Sequence, residues 1–159
     1  MKQLYRQFRT TIYLATQDLG ESRVLKAINV DQPWAELIIQ GRKTIELRTR
    51  QSSHRGPLAI RATKTVLAGA CDKFDLDPKA LITGAIVGVA RLAEVIEFDL
   101  ESWQALRDQH LNESFAPGRW RYGWRLEKPK PLEESIYFRG LPGMFNLPEE
   151  ITEQLRDHV

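Results

Sequence analysis

Hydrophobic and polar residues follow two periods along this chain, and each period predicts a different kind of element. A period of two, typical of a half-buried strand, predicts short strands over residues 44–48 and 58–62, and branched residues predict another over 24–30. Two further short strands are expected on either side of a turn, over 135–138 and 144–147. A long apolar segment over 85–98 predicts a bent strand, because Gly88 interrupts it. Helical spacing predicts a short helix that ends at Gly41, helices over 64–73 and 99–111, and a last helix that begins at Pro148.

Short strands with helices inserted between them indicate a mixed α+β fold. We expect a small, mainly antiparallel β-barrel, and not a doubly wound sheet, in which strands and helices would alternate regularly. In the strand 58–62, Leu58, Ile60 and Ala62 should face the core. Arg61 and Thr63 should then lie on the opposite face.

The stretch from Gln32 to Arg48 carries most of the candidate chemistry. Pro33 suits the first turn of a helix, with Asp31 or Gln32 as the cap, and Gly41 can adopt the left-handed conformation that ends one. The strand that follows places Glu46 and Arg48 on its polar face, with Lys43 at its start. The simpler interpretation is a solvated strand face with one weak ion pair.

The composition bounds the possible classes of protein. A chain of 159 residues with 42% hydrophobic residues predicts one domain, which we place at 23–159 after an N-terminal extension over 1–22 that can be flexible. The single cysteine, Cys71, excludes an intramolecular disulfide, and the three histidines lack partners at metal-ligand spacing, so we predict no metal and no other cofactor. The absence of a long apolar run predicts a cytoplasmic protein with no membrane partner.

Positive charge is concentrated in one segment. The net charge is +2, yet residues 42–64 contain seven basic residues and one acid, or +6, which leaves −4 for the rest of the chain. A focused basic segment is typical of a protein that binds a polyanion, although a solvated basic face is the alternative. Another segment, 119–125, interleaves three arginines with three aromatic residues, a combination that can stack bases and hold phosphates. There we expect Trp124 to be buried and Arg121 or Tyr122 to lie near a cleft.

Several motifs together resemble the ASCH domain family, and the resemblance covers nearly all of the chain after Arg23. Its centre is the pattern Gly-x-Lys-x-x-Glu-x-Arg at 41–48, behind a Gln-Pro-Trp-Ala helix. It continues in four further segments, which are 54–64, 84–90, 122–124 and 139–145. The resemblance implies a PUA-like barrel and a cleft that binds RNA or nucleotides, lined by the Lys and Glu of the motif.

The resemblance also implies two kinds of activity. A few members of the family are hydrolases, which act on N4-acetylcytidine or cleave RNA. In the amidohydrolase branch a Lys at the position of Lys43 works with a Thr three residues later, where this chain has Glu46. That difference removes the hydroxyl nucleophile, but Glu46 could still accept a proton while Lys43 stabilises negative charge.

Three functions therefore stay open from the sequence: a module that binds RNA or a nucleotide, a hydrolase of RNA or of a modified nucleoside, and a structural or protein-binding domain. For an enzyme, the predicted catalytic residues are Lys43 and Glu46. The residues predicted to contact nucleic acid are Trp34, Lys43, Arg48, Arg50, Arg55, Arg61, Thr63, Lys64, Arg121 and Tyr122. The sequence leaves the oligomeric state, the base and the length of the ligand open.

Overall fold

The computed structural model describes residues 24–115 and 118–159, so the predicted N-terminal extension over 1–22 lies outside the described residues. The strands are β1 Lys26–Gln32, β2 Ile45–Arg48, β3 Gly56–Val66, β4 Ala85–Glu97, β5 Tyr122–Tyr137 and β6 Met144–Asn146. The helices are α1 Trp34–Ile39, α2 Ala68–Lys73, α3 Leu100–Ala105, α4 Arg107–His110 and α5 Glu149–Gln154, followed by a 3-10 turn over Arg156–His158.

These strands form one six-stranded sheet in the order β2-β5-β4-β3-β1-β6. The pair β1 and β3 is parallel, and the other neighbours are antiparallel. The mixed α+β class is confirmed, but the predicted barrel is not, since no ladder within the described residues joins the edge strands β2 and β6. Both edges are short, with four and three residues, and offer little backbone for closure.

The centre of the sheet is covered on both faces. Ile28, Leu58 and Ile60 belong to the main core, while Ala27 and Ala59, their neighbours along the same strands, pack in a second core on the other face. The predicted alternation in β3 is therefore right about which residues share a face. The alternation does not indicate that Arg61, on the other face, is only 8% exposed, because its burial depends on the second core that covers that face.

Three predicted boundaries differ from the structure. The segment 64–73 is helical only over Ala68–Lys73, because β3 continues to Val66. The strand predicted over 135–138 is not separate, since β5 runs from Tyr122 to Tyr137 with register shifts against β4. The bent strand over 85–98 is confirmed as β4, and its register shifts beside Gly88.

The helix α1 packs on the sheet and directs the chain into β2. Its first turn follows Pro33, and Gln32 Oε1 accepts a hydrogen bond of 3.0 Å from the Glu36 N–H. Gly41 has a φ of +75°, the left-handed conformation that the sequence predicts there. No helix within 24–115 or 118–159 is both long and apolar enough to cross a membrane.

Candidate nucleic-acid interface

Lys43 is placed by the end of α1. After the turn at Gly41, the Arg42 and Lys43 N–H groups both donate to the Leu37 carbonyl, at 2.9 and 3.0 Å. The Thr44 N–H then donates to the Gln109 carbonyl at 3.1 Å, which ties the start of β2 to α4. This tight turn directs the Lys43 side chain inward, and only 3% of it is exposed.

The buried ammonium group has three neighbours. Lys43 Nζ donates a hydrogen bond of 2.5 Å to the His110 carbonyl, lies 5.2 Å from the centre of the Trp34 ring and is 3.9 Å from Glu46 Oε2. Burial lowers the pKa of Lys43 from 10.5 to about 8, and the Glu46 carboxylate opposes part of that shift. The amine can therefore gain or lose a proton near neutral pH, which an exposed lysine does not do.

The His110 ring fixes the carbonyl that Lys43 uses. His110 is fully buried, its Nε2 lies 2.8 Å from the Trp103 carbonyl, and its Nδ1 accepts a hydrogen bond of 3.1 Å from the Asn112 N–H. Since Nδ1 is an acceptor, the proton is on Nε2 and the ring is neutral. Burial is the main cause of a lowered His110 pKa, with the charges of Lys43 and Arg107 acting in the same direction.

Glu46 and Arg48 share the polar face of β2, as the alternation predicts. Glu46 is 12% exposed, and its Oε1 lies 3.8 Å from Arg48 Nε. Arg48 Nη2 donates to the Asn29 carbonyl at 2.7 Å, and the guanidinium carbon lies 5.4 Å from the Trp124 ring centre. The Nε of Arg48 is buried and donates to no described residue.

Further side chains reach the same space from β1, from β3 and from the turn before β5. Thr63 Oγ1 donates a hydrogen bond of 2.5 Å to Asp31 Oδ1. The turn before β5 adds Trp120, with the Arg119 guanidinium carbon 4.9 Å from its ring centre. Together with Asn29, these side chains face the same space as Lys43, Glu46 and Arg48.

These side chains line a cleft of about 370 Å³. Its lining combines two tryptophans, three cations and two carboxylates, which are Trp34, Trp120, Lys43, Arg48, Arg119, Asp31 and Glu46. That volume lies within the range of small-ligand pockets. Flat aromatic faces beside cations and hydrogen-bond acceptors are suited to a heterocyclic base with an attached phosphate.

The structure brings together only part of the predicted residue set. Trp34, Lys43, Glu46, Arg48 and Thr63 line the cleft. Arg48 and Arg50 line a second hollow beside it. The remaining predicted contacts, Arg55, Arg61, Lys64, Arg121 and Tyr122, line neither space.

The three arginines among those remaining contacts have structural partners instead. Arg55 Nη1 donates to the Ser52 and His54 carbonyls, at 2.8 and 2.7 Å. Arg61 is only 8% exposed and donates to the Phe138 carbonyl at 2.5 Å and to Asn29 Oδ1 at 3.0 Å. Arg121 forms an exposed ion pair with Glu97 at 2.7 Å. The strands β2 and β3 are not neighbours in the sheet, because β5 and β4 lie between them.

Sequence reasoning missed several residues of the cleft, namely Asn29, Asp31, His110, Asn112, Arg119 and Trp120. The basic and aromatic segment at 119–125 did indicate Arg119 and Trp120, but the residues chosen from it were Arg121 and Tyr122. Asn29 and Asp31 have a detectable signal too. They alternate with the apolar residues Ile28 and Val30 in β1, and they lie opposite Arg61 and next to Thr63 in the fold.

Within the described ranges, no group of three or more His, Cys, Asp or Glu side chains is arranged to hold a metal ion. Cys71 is fully buried, and burial raises the pKa of its thiol.

The architecture and the cleft define a mixed α+β domain with a preformed polar site. The sequence model of the ASCH domain matches residues 28–139, and the chain therefore belongs to the ASCH domain family. No curated protein matches the sequence.

Solved structures of ASCH from Zymomonas mobilis have the same fold. One of them has a TM-score of 0.63 and 18% sequence identity, and covers 85% of this chain and 95% of that chain. A serine-to-alanine mutant of that protein has a TM-score of 0.62 and 17% sequence identity, and the match covers 87% of this chain and 98% of that chain. At this identity the similarity concerns the fold alone.

Proposed function

We propose that this protein binds RNA or a nucleotide, with an unpaired base held in the cleft. One observation carries the proposal: a single space of about 370 Å³ is lined by two tryptophans, three cations and a carboxylate, Glu46, that makes no hydrogen bond with the described residues. Membership of the ASCH domain family supports the same class of ligand, through the resemblance described above.

Each group has a role in that proposal. Trp34 and Trp120 offer faces on which a base can stack. Glu46 can accept a hydrogen bond from an amino or imino group of the base, since its oxygens lie 3.8 Å or more from their nearest cations. Arg48 and the exposed Arg119 can reach phosphate oxygens.

The test is a titration of the protein with single-stranded RNA and with nucleotides at low salt. Stacking contributes roughly 1 to 3 kcal/mol per base, so Trp34→Ala or Trp120→Ala should weaken binding about ten-fold or more. Tyr137→Ala is the matched control, because Tyr137 is 78% exposed and lines neither the cleft nor the second hollow. Failure of the parent protein to bind any RNA or nucleotide overturns the proposal.

A hydrolase is the second candidate, and one observation favours it. Lys43, with a pKa near 8, lies 3.9 Å from Glu46 inside the cleft. In this reaction Glu46 accepts a proton from water as the water oxygen bonds to the acyl carbon or phosphorus, and the Lys43 ammonium stabilises the negative charge that develops. The bond from that atom to the leaving nitrogen or oxygen then breaks, and the leaving group takes the proton from Glu46. Water replaces the threonine nucleophile that the resemblance implies for N4-acetylcytidine hydrolysis.

Incubation with mixed RNA and modified nucleosides, followed by mass spectrometry, tests this candidate. A hydrolase should release a smaller product, and Lys43→Met and Glu46→Gln should each abolish the release. Tyr137→Ala should leave the rate unchanged. Binding without any product supports the binding module and contradicts the hydrolase.

A further inference from the structure

A second hollow of about 570 Å³ opens beside the cleft. The two spaces share Arg48 and Thr49, the residues at the end of β2. Arg48 therefore stands between them, held on one side by the Asn29 carbonyl and on the other by the Trp124 ring. Because the two spaces share these residues, a ligand in the cleft lies next to the second hollow.

The charge of the second hollow differs from that of the cleft. Its lining includes Arg48 and Arg50 but no Asp or Glu, whereas the cleft contains Asp31 and Glu46. The Arg50 side chain is exposed and makes no ion pair or hydrogen bond with another residue of the described part. Thr49 and Ser52 add hydroxyl groups. A space with cations and hydroxyls but no carboxylate favours a phosphate over a base.

The far wall of this hollow is fixed before any ligand binds. Pro142 and Gly143 line it, and the preceding loop is held where Asn29 Nδ2 donates to the Leu141 carbonyl at 2.7 Å. Gly140 packs so closely on this joint that a Cβ there would overlap Asn29 Oδ1 and lie 2.8 Å from Arg61 Nη1. Asn29 thus connects the loop, Arg61 and Arg48.

We propose that the second hollow is a phosphate subsite, in which Arg50 holds the backbone of the nucleotide next to the one in the cleft. The preferred ligand is then a single strand of at least two linked nucleotides, and not a free nucleoside. This inference rests on the proposed function, because it needs a base in the cleft. Arg48 contacts both nucleotides, and Arg50 contacts only the neighbouring phosphate.

The experiment compares ligands that differ in length. The probes are the nucleoside 5′-monophosphates and a mixed-sequence single-stranded RNA of about six nucleotides, a length within the usual site size of single-strand-binding domains. The expected result is binding of the RNA at least ten-fold tighter than of any monophosphate. In Arg50→Ala the ratio of the two affinities should be smaller. The plot of log affinity against log salt should also become less steep, by about 0.7 in slope, because one phosphate contact is lost.

Arg91→Ala is the matched control, because it removes an exposed arginine that lines a third hollow on another part of the surface. The Trp124 indole donates to the backbone carbonyl of Arg50, so the alanine variant keeps that hydrogen bond and its fold. Equal affinity for RNA and monophosphates, or equal effects of Arg50→Ala and Arg91→Ala, overturns the subsite alone. Absence of binding to every probe overturns the proposed function and the subsite with it.

Discussion

Arg48 donates a hydrogen bond of 2.7 Å to the backbone carbonyl of Asn29, although three strands lie between β2 and β1 in the sheet. A flat sheet would hold these two strands far apart, at close to 5 Å for each step between neighbours. The sheet therefore curls, and one side chain bridges the gap that backbone pairing leaves open. The cleft lies beside that bridge.

Loss of the bridge should destabilise the protein. Arg48→Ala leaves the Asn29 carbonyl without this donor and removes the contact with Trp124, so the free energy of unfolding should fall by about 1 to 3 kcal/mol. Arg48→Lys should be little more stable than Arg48→Ala, because an ammonium lacks the planar group that stacks on the indole. Urea denaturation measures both, with Arg91→Ala as the control for lost charge. An unchanged midpoint in Arg48→Ala would show that the bridge carries no stability.

Lys43 should make stability depend on pH in the alkaline range. Its pKa is about 8 in the folded protein and 10.5 as the ordinary value, so the unfolded chain binds more protons between these two pH values. The free energy of unfolding therefore rises as the pH increases through this range, by up to about 3 kcal/mol from this group. Below pH 8 both states are protonated, and the cost of the buried charge is fully present.

Lys43→Met isolates this contribution, because methionine fills similar space without a charge. The variant should be more stable than the parent near pH 7, and the difference should shrink between about pH 8 and 10. Denaturation of both proteins over a series of pH values measures it, since other titrating groups cancel in the difference. A difference that is constant with pH would mean that Lys43 titrates as an exposed lysine.

His110 should remain neutral at mildly acidic pH. Its ring is buried, its Nδ1 accepts from the Asn112 N–H, and its pKa is lowered. Nitrogen NMR at about pH 6, below the usual histidine pKa, should therefore show a proton on Nε2 alone. A doubly protonated ring would contradict the hydrogen bonding that fixes the carbonyl beneath Lys43.

His110→Phe removes the hydrogen bonds of the ring but keeps a ring of similar size, so it measures their contribution to stability apart from that of packing. The Trp103 carbonyl and the Asn112 N–H each lose a buried partner, so the variant should lose about 2 to 4 kcal/mol of stability. Thermal and urea denaturation measure the change. A variant as stable as the parent would show that packing alone holds α4 in place.

Gly140→Ala should disturb the joint at Asn29. The new methyl group would overlap Asn29 Oδ1, so the loop must move and the protein should lose about 1 to 3 kcal/mol. Gly69→Ala is the control, because a Cβ on Gly69 meets no atom within 4 Å and its position in α2 favours alanine. Equal melting temperatures for the two variants would contradict the close approach seen at Gly140.

The local elements of the site could be predicted from sequence, but their meeting could not. Gly41 and the alternation in β2 place Lys43, Glu46 and Arg48, because a left-handed turn and a period of two are properties of neighbouring residues. Asn29 reaches them only through the order and curl of the sheet, which no local pattern encodes. For the same reason the barrel expected from the strand pattern became an open, curled sheet.

The segment 119–125 shows that composition can indicate a contact region without indicating which of its residues make the contact. Its composition predicted a nucleic-acid contact, and the residues that reach the cleft are Arg119 and Trp120. Arg121 and Tyr122 do not, because β5 begins at Tyr122 and Arg121 pairs with Glu97. The choice depends on where a strand begins, and strand boundaries are the least determined feature of a sequence pattern.

Three side chains of the cleft already have partners within the protein, since Lys43 is held by the His110 carbonyl, Arg48 by Asn29 and Thr63 by Asp31. These three side chains therefore need no rearrangement when a ligand binds. Association should then be a single step whose observed rate grows in proportion to ligand concentration without reaching a plateau. Differences in affinity between ligands would then appear in the dissociation rate constant.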